Sequence, residues 1–279
     1  MNGLSLPPLN IPALLRRFDL KPSKGLGQNF LQDNHALQEI VGAADLGLSE
    51  VVLEIGPGLG SLTRYLALSA RSVTAIELDR KLFPALENVL APYKNVRLVQ
   101  GDILKLKPAE LMETPGYIVV ANIPYYITSA VIRHLLEAEP RPSRVVLTVQ
   151  KEVAERICAG AGKMSLLALS VQVYGKPILG TTIPAEAFYP PPTVDSAVLC
   201  IEIYSQPIIP ADRLDKFFKF IKAGFSQKRK TLRNALSGGL QIAPVESEEL
   251  LCAAGIDPQR RAETLSSEEW GNLVKEYEM

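Results

Sequence analysis

Residues 122–126 read NIPYY and combine side chains that could hold a flat ligand. They follow an apolar run, Tyr117–Ala121, of the kind that forms a buried strand. The amide of Asn122 can accept a hydrogen bond, Pro124 fixes the backbone, and Tyr125 offers a ring face for stacking. A simple turn would need only the proline. The segment therefore indicates a binding site at the end of a strand.

A glycine-rich loop, EIGPGLG, follows another apolar run, Val51–Ile55. Gly56 and Gly58 remove side chains where a backbone could approach a ligand, and the helix that follows offers free N–H groups. The third glycine, Gly60, comes one residue too early for the dinucleotide fingerprint G-x-G-x-x-G. The loop by itself therefore leaves the identity of the ligand open.

Two acidic residues occur at the ends of the next two apolar runs. Glu77 ends the run in TAIELD, about 20 residues after the loop, where an acid can bind both hydroxyls of a ribose. Asp102 ends the following run in LVQGD, in reach of an adenine edge. Ligands of open α/β sheets bind at the carboxyl ends of the strands, so we expect these acids, Gly56 and Asn122 to form one site.

The elements that would position these residues alternate between strands and helices. Alternation of this kind predicts βαβ units and a mostly parallel sheet. A last pair of strands, Ile178–Ile183 and Ala197–Tyr204, is joined by a proline-rich segment too short for a crossover helix, so we expect it to be antiparallel. The remaining predicted strands are Val51–Ile55, Ser72–Ile76, Val96–Val99, Tyr117–Ala121 and Val145–Val149.

The sequence predicts three regions. Residues 1–26 are a loose leader with a basic cluster (Arg16, Arg17, Lys21 and Lys24), residues 27–205 are the catalytic domain, and residues 206–279 form a small helical domain. The predicted C-terminal helices cover Leu214–Ala223, Lys230–Leu236, Glu248–Ala254 and Ser267–Tyr277.

Composition excludes several classes of protein. The chain has 279 residues, 47% of them hydrophobic, and a net charge of zero, so nucleic-acid contacts would need a local basic patch. The three cysteines are far apart and have no metal-binding spacing, which is typical of a reducing compartment. No apolar stretch approaches the length of a membrane span and no signal peptide is evident. We expect a cytoplasmic protein that needs no metal and no membrane.

The motifs together resemble a known family. EIGPGLG, IELD, GD and NIPY, with GQNFL at 27–31, FYPPPTVDSAV at 188–198 and FSQKRKTLRNAL at 225–236, resemble the small-subunit ribosomal RNA adenine dimethyltransferases (the KsgA/RsmA family). The resemblance covers nearly the whole chain from Gly27 onward. It implies a Rossmann-like class I methyltransferase sheet with a C-terminal helical domain. It also implies N6,N6-dimethylation of two adjacent adenosines near the 3′ end of that RNA.

The resemblance also implies a cofactor, S-adenosyl-L-methionine, and the residues that hold it. Asn29, Leu31, Gly56 and Gly58 would contact the cofactor, Glu77 its ribose and Asp102 its adenine, with Asn122 between its methionine end and the target base. Ile123 replaces the usual leucine and keeps every polar group. The family has a smaller polar residue at the position of Tyr126, so Tyr126 receives no role, and neither does Tyr189.

Methylation of adenine N6 needs hydrogen-bond acceptors for the amino group more than it needs a general base. The amino nitrogen is a poor nucleophile, and two acceptors for its hydrogens would direct its lone pair at the methyl group. Asn122 and the backbone carbonyl beside Pro124 could be these acceptors, and Tyr125 could stack on the base. The base must be unpaired or flipped out, and we expect Phe188, ahead of three prolines, to form a second wall.

A basic segment in the C-terminal region is the predicted RNA-binding surface. The stretch KAGFSQKRKTLR contains no acid, so it is either a solvated helix face or a surface that contacts phosphates. The small-subunit ribosomal RNA within a 30S-type particle is the expected partner, bound by a monomer. The predicted RNA-binding residues are Lys222, Lys228, Arg229, Lys230 and Arg233.

Two alternatives stay open. A large-subunit methylase of the antibiotic-resistance type shares NIPY and much of the core, whereas GQNFL and the C-terminal GID and RAE favour the small-subunit enzyme. A non-catalytic ribosome assembly factor could use the same fold, although such a binder would not need Asn122, Pro124 and Tyr125 together.

Overall fold

The structure is a computed structural model and describes residues 6–277. The chain divides into two compact units. The first consists of the chain up to Ala154 together with Ile178–Ile203, and the second of Glu155–Pro177 and the chain from Tyr204 onward.

This division differs from the predicted domains at residues 155–177, which the sequence pattern assigned to the catalytic domain. The backbone explains the difference. Tyr204 N donates to Tyr174 O at 2.9 Å, and Ile208 N donates to Val173 O at 3.0 Å. The segment from residue 204 to residue 208 therefore pairs with residues 173 and 174. These two parts of the chain are distant in the sequence, so no local pattern predicts the contact.

A seven-stranded sheet dominates the first unit. Its strand order is β4-β3-β2-β5-β6-β9-β7, and a separate two-stranded sheet pairs β1 with β8. The pairs β2–β3, β2–β5, β3–β4 and β5–β6 are parallel, and β9 is antiparallel to β6. The strands are β1 (Phe30–Leu31), β2 (Val51–Ile55), β3 (Ser72–Glu77), β4 (Val96–Gln100), β5 (Ile118–Asn122), β6 (Arg144–Gln150), β7 (Gly175–Ile183), β8 (Phe188–Tyr189) and β9 (Ser196–Ile203).

These strands confirm the predicted fold class, a mostly parallel α/β sheet with an antiparallel addition. Central strands such as β2 and β5 are buried along nearly their whole length because helices cover both faces of a parallel sheet. The helices that precede residue 204 are α1 (Ile11–Arg17), α2 (Asn34–Ala44), α3 (Ser61–Ser69), α4 (Phe83–Leu90), α5 (Thr128–Leu136), α6 (Lys151–Ile157) and α7 (Leu166–Gln172), of which α7 lies in the second unit.

The described part of the leader, residues 6–26, contains a helix that the sequence did not predict. Pro12 lies in the first turn of α1, where a proline is compatible with a helix. The Asn10 side chain caps this helix by accepting from Ala13 N at 2.9 Å. Ile11 and Leu15 are buried and belong to a hydrophobic cluster that also contains Phe30. The helix of the leader thus packs into the first unit.

The second unit contains four C-terminal helices, as predicted, built around aromatic side chains. Phe217, Phe220 and Trp270 are fully buried in it. Ser266 and Glu269 form a capping box at the start of the last helix. Within residues 6–277, no helix is both long and apolar enough to cross a membrane. The helices are α8 (Leu214–Phe225), α9 (Leu232–Leu240), α10 (Pro244–Ala253) and α11 (Ser267–Glu276).

Candidate active site

The carboxyl ends of the parallel strands bring the predicted site residues into one cleft of the first unit. Gly56 follows β2, Glu77 ends β3, Asp102 follows β4 and Asn122 ends β5. All four line this cleft, as do Asn29, Leu31, Gly58, Pro124, Tyr125 and Phe188. Residues that are far apart in the sequence thus meet because parallel strands place the same end of each strand at the same edge.

The glycine-rich loop turns through backbone conformations that favour glycine. Gly56 and Gly58 have φ angles of +71° and +60°. A Cβ atom on Gly58 would lie 3.0 Å from the Phe30 ring, so a side chain there would be crowded as well as strained. The loop is therefore shaped for a close approach of backbone to a ligand.

Glu77 is fixed by two backbone donors. Its Oε2 accepts from Gly58 N at 3.0 Å, and its Oε1 accepts from Asp79 N at 2.8 Å. Burial raises the pKa of Glu77, while these backbone N–H groups act in the opposite direction. Two of its roughly four acceptor positions remain for a ligand, which is what the two hydroxyls of a ribose require.

Asp102 lies at the edge of the cleft and shapes the turn after β4. Its Oδ1 accepts from Leu104 N at 3.0 Å. The other carboxylate oxygen lies 3.9 Å from Lys105 Nζ, and the side chain is partly exposed. The carboxylate is therefore held in one orientation but remains open to a polar ligand.

Asn122 has a defined amide orientation. Its Nδ2 donates to the backbone carbonyl of Asn29 at 3.2 Å. The Asn29 side chain in turn donates to Gly27 O at 3.3 Å. Because the amide nitrogen of Asn122 is used, its Oδ1 is the atom available as an acceptor in the cleft. The GQNFL segment thus positions the key polar group of NIPY.

Tyr125 is anchored through its hydroxyl group. It begins a short 3₁₀ turn, Tyr125–Ile127, directly after Pro124. Its phenol lies 2.8 Å from the Oγ of Ser196, a fully buried residue of β9. Burial raises the pKa of Tyr125, which favours the neutral phenol. Pro124 O accepts from Ile127 N at 3.2 Å within this turn, whereas the carbonyl of Ile123, on the other side of the proline ring, takes no part in it.

Phe188 forms part of the cleft wall and part of the hydrophobic core. It is only 2% exposed and pairs with Leu31 across the small β1–β8 sheet. Tyr189, the next residue, points away from this surface and does not line the cleft. The β1–β8 pairing therefore joins GQNFL to the proline-rich motif, a link that the sequence did not predict.

Glu54 also lines the cleft, and sequence reasoning assigned it no role. It is 1% exposed, and its Oε2 has no hydrogen-bond partner among the described residues. Burial raises its pKa to about 8; the Glu77 charge acts in the same direction and the nearby Thr63 hydroxyl opposes it. The signal that could have identified it is an acid inside an otherwise apolar strand, two residues before the first glycine of the loop.

The predicted RNA-binding residues lie in the second unit, on and around the turn that joins α8 to α9. Lys222, Lys228, Arg229 and Lys230 are exposed. Arg233 differs, because its Nε lies 2.7 Å from Glu248 Oε2 of α10. The segment is thus mainly an exposed turn, and Arg233 has a partner within the protein that the acid-free stretch did not reveal.

Neither histidine lies in the cleft. His35 is on α2, 4.0 Å from Glu39, and His134 Nε2 lies 3.0 Å from Leu106 O. Over the described range 6–277, no group of three or more His, Cys, Asp or Glu side chains could hold a metal ion. The polar side chains that line the cleft carry carboxylates, amides and hydroxyl groups.

Comparisons with known proteins agree with this geometry. Residues 20–279 match the family described as Ribosomal RNA adenine dimethylase. A relative from Dehalococcoides mccartyi (strain CBDB1), named ribosomal RNA small subunit methyltransferase A, is 50% identical over 265 residues, covering 95% of this chain and 91% of that protein.

Two solved structures are similar along most of the chain. A dimethyladenosine transferase from Plasmodium falciparum is 26% identical with a TM-score of 0.77, covering 89% of this chain and 97% of that one. The 23S rRNA methyltransferase ErmE is 28% identical with a TM-score of 0.74, covering 90% of this chain and all of that one. With the match over residues 20–279, these likenesses show that the chain belongs to the ribosomal RNA adenine dimethylase family, whose members are methyltransferases that use S-adenosylmethionine.

Proposed function

We propose that this protein uses S-adenosylmethionine to dimethylate the N6 atoms of two adjacent adenosines near the 3′ end of small-subunit (16S) ribosomal RNA during ribosome biogenesis. The observation that carries this proposal is the orientation of Asn122. Its amide nitrogen is bound to Asn29 O, so its Oδ1 is presented to the cleft as an acceptor. An amino group on a flat base is the kind of donor that this acceptor fits.

The cofactor fits the residues at the strand ends. Glu77 would accept from the ribose hydroxyls, Asp102 would accept from the adenine amino group, and the loop at Gly56 and Gly58 would lie against the methionine portion. Asn29 and Leu31 would complete this side of the site. The cofactor, when bound, supplies an electrophilic methyl group on a sulfonium.

The protein contributes positioning and electrostatics to the reaction. Asn122 Oδ1 and the carbonyl of Ile123 would accept the two amino hydrogens of adenine, which directs the nitrogen lone pair away from the ring. Tyr125, anchored at Ser196, would stack on one face of the base. Phe188 would limit the space on the other side. No protein nucleophile is needed for this chemistry.

The small-subunit target is supported by the relative from Dehalococcoides mccartyi, whose name specifies that subunit. The similarity to ErmE is lower, at 28% identity. We further propose that the protein acts in the cytoplasm as a monomer, on the RNA within a 30S-type particle. In this proposal residues 27–205 catalyse the transfer and residues 206–279 bind RNA, through exposed cations such as Lys228, Arg229 and Lys230.

The test is methyl transfer from labelled S-adenosylmethionine to unmodified small subunits, large subunits and naked ribosomal RNA in parallel. Nucleoside analysis should find dimethyladenosine from small subunits. Label in large-subunit RNA would instead assign the chain to the resistance-type methylases. Tight cofactor binding without transfer to any substrate would favour an assembly factor.

A further inference from the structure

Tyr126 is an exposed aromatic residue at the rim of the cleft. It is 65% exposed, yet it lines the same cleft as Asn122 and Tyr125. The other exposed tyrosines of the described chain, Tyr189 and Tyr277, do not line it. A large ring in water beside a binding site is available to a ligand, and its polar hydroxyl keeps it compatible with solvent.

The ring of Tyr126 packs against the turn that contains Gly27. A Cβ atom on Gly27 would lie 3.3 Å from Tyr126 Cε1 and 3.0 Å from Pro124 Cβ, and the φ angle of Gly27 is +61°. The backbone of Gly27 therefore packs closely against both residues, which only glycine allows. This contact restricts the ring on one side before any ligand arrives, which reduces the conformational freedom that stacking would cost.

Hydrogen bonds within residues 23–28 keep this turn in place. Ser23 N donates to Gln28 Oε1 at 2.8 Å, and Gln28 Nε2 donates to Asp79 Oδ2 at 2.9 Å. Gly27 N donates to Lys24 O at 3.0 Å. The turn that supports Tyr126 is thus linked directly to the segment after β3, beside the proposed cofactor site.

The chain leading into this turn is basic. Arg16, Arg17, Lys21 and Lys24 are all exposed in the first unit. Proteins that bind single-stranded nucleic acid combine such cations, which contact phosphates, with aromatic rings on which bases stack. The same two components occur here in adjoining parts of one unit.

We propose that Tyr126 stacks on the nucleotide next to the target adenosine, while Tyr125 stacks on the target itself. The two tyrosines are consecutive in a 3₁₀ turn, so their side chains diverge by about 120° and serve different bases. A substrate with two neighbouring target adenosines presents two such unpaired nucleotides. This inference rests on the proposed function, since it assigns a stacking position on Tyr126 to the second base of the same RNA substrate.

Photo-crosslinking tests the stacking without requiring catalysis. Short single-stranded RNAs carrying 5-iodouridine immediately before or after the target adenosine are irradiated with the full-length protein, and crosslinked residues are mapped by mass spectrometry. Tyr126 should be crosslinked from one of the two positions. Tyr126→Phe should keep this crosslink and Tyr126→Ala should lose it. Crosslinks that avoid residue 126 from both positions would overturn the proposal.

Kinetics with small subunits give a second readout. Tyr126→Ala should lower kcat/KM for the particle by about 5- to 150-fold, the usual range for one base–aromatic stack, with cofactor affinity unchanged. Tyr126→Phe should stay within about twofold of the wild type because it keeps the ring. Tyr189→Ala is the matched control, an exposed tyrosine outside the cleft, and should have no effect.

The outcomes separate this inference from the proposed function. An active wild type with an equally active Tyr126→Ala variant would overturn the stacking role and leave the function intact. Equal losses in Tyr126→Phe and Tyr126→Ala would also overturn it, because the hydroxyl and not the ring would then matter. A wild type that crosslinks through Tyr126 without methylating any RNA would support the stacking and refute the enzymatic function.

Discussion

The strand-end cleft and the basic segment of the second unit hold their polar groups in different ways. In the cleft, Glu77 accepts from two backbone N–H groups and Asn122 donates to a backbone carbonyl. In the basic segment, Lys228, Arg229 and Lys230 extend into solvent from a turn. In the cleft, hydrogen bonds fix the positions of individual polar atoms. In the basic segment, the charged groups are exposed and their positions are not fixed.

This difference determines how each region should respond to change. A preorganised, desolvated site depends on single atoms, and its electrostatics change with protonation more than with salt. An exposed cluster of cations contributes additively and is screened by salt. The cleft should therefore be sensitive to single substitutions and to pH, and the basic segment to charge reversal and to ionic strength.

The largest effect is expected from Asn122→Ala. Loss of the Oδ1 acceptor should lower kcat by roughly 10²–10³, as when one polar stabiliser is removed from another active site. Cofactor should still bind, since the glycine loop and Glu77 are unchanged. Single-turnover methylation together with calorimetric titration of cofactor measures both quantities.

A matched control for that experiment is Asn234→Ala, which removes an exposed amide on α9. It should leave kcat unchanged. Full turnover by Asn122→Ala would show that this amide is not an acceptor in the reaction. Loss of cofactor binding in proportion to turnover would instead assign Asn122 to the cofactor alone.

Charge reversal of Lys228, Arg229 and Lys230 to glutamate should weaken RNA binding by about tenfold or more at physiological salt. It should also reduce the slope of log K against log salt by about 2–3, because each phosphate contact contributes just under one unit. Cofactor affinity should not change. Filter binding over a range of salt concentrations measures the slope.

Reversal of the exposed Lys94 and Lys107 in the first unit is the control for nonspecific loss of positive charge. If this control weakens RNA binding as much per charge, the basic segment has no special role. If the triple variant loses cofactor and RNA binding equally, the segment serves folding.

Glu54 tests the pH sensitivity of the cleft. Its pKa is about 8 in the folded chain, above its ordinary value of 4.5, because burial favours the protonated form. Between these pH values the folded chain holds a proton that the unfolded chain has released, so stability falls as pH rises through this window. Because one pKa unit corresponds to about 1.4 kcal/mol, the loss by pH 8 is on the order of a few kcal/mol.

Glu54→Gln cannot ionise, so its melting temperature should vary less between pH 5 and 8 than that of the wild type. Thermal unfolding of both proteins at matched pH values measures this difference. Glu77 is present in both proteins, so its contribution to the pH dependence cancels. Parallel curves over the whole window would mean that Glu54 is ionised in the folded protein at neutral pH.

The sheet and the strand-end residues were predictable because both depend on local patterns. Apolar runs of about five residues identified β2, β3 and β5, and the position of each acid relative to its strand then followed from the rules of parallel sheets. The glycine spacing, which is also a local pattern, did not match the dinucleotide fingerprint but left the identity of the ligand open. These features need only neighbours in the sequence and the common edge of the sheet.

What could not be predicted depends on contacts between distant residues. The β1–β8 pairing joins Leu31 to Phe188, and the anchor of Tyr125 is Ser196. The burial of Glu54, which raises its pKa, arises only when helices cover the sheet. Sequence spacing does not specify which distant side chain supplies a hydrogen bond or excludes water, so these features appear only in three dimensions.

The smallest effect is expected for Arg233. This residue belongs to the basic segment, but a partner within the protein fixes it as the polar groups of the cleft are fixed. The sequence grouped it with the RNA-binding cations, but its guanidinium lies 2.7 Å from Glu248 and its side chain is 30% exposed. A cation that is already paired gains less from a phosphate, because it must first give up its carboxylate. Arg233→Ala should therefore change RNA affinity by less than about twofold and the salt slope by well under one unit.

The same substitution should lower the stability of the protein by up to about 1 kcal/mol, the usual range for a partly exposed ion pair. Glu248→Ala should cause a similar loss, and the double variant should be little worse than either single one, because all three break one interaction. Chemical denaturation measures these differences. A large fall in RNA affinity for Arg233→Ala with unchanged stability would return Arg233 to the RNA-binding set, and would show that exposed and paired cations act together on this turn.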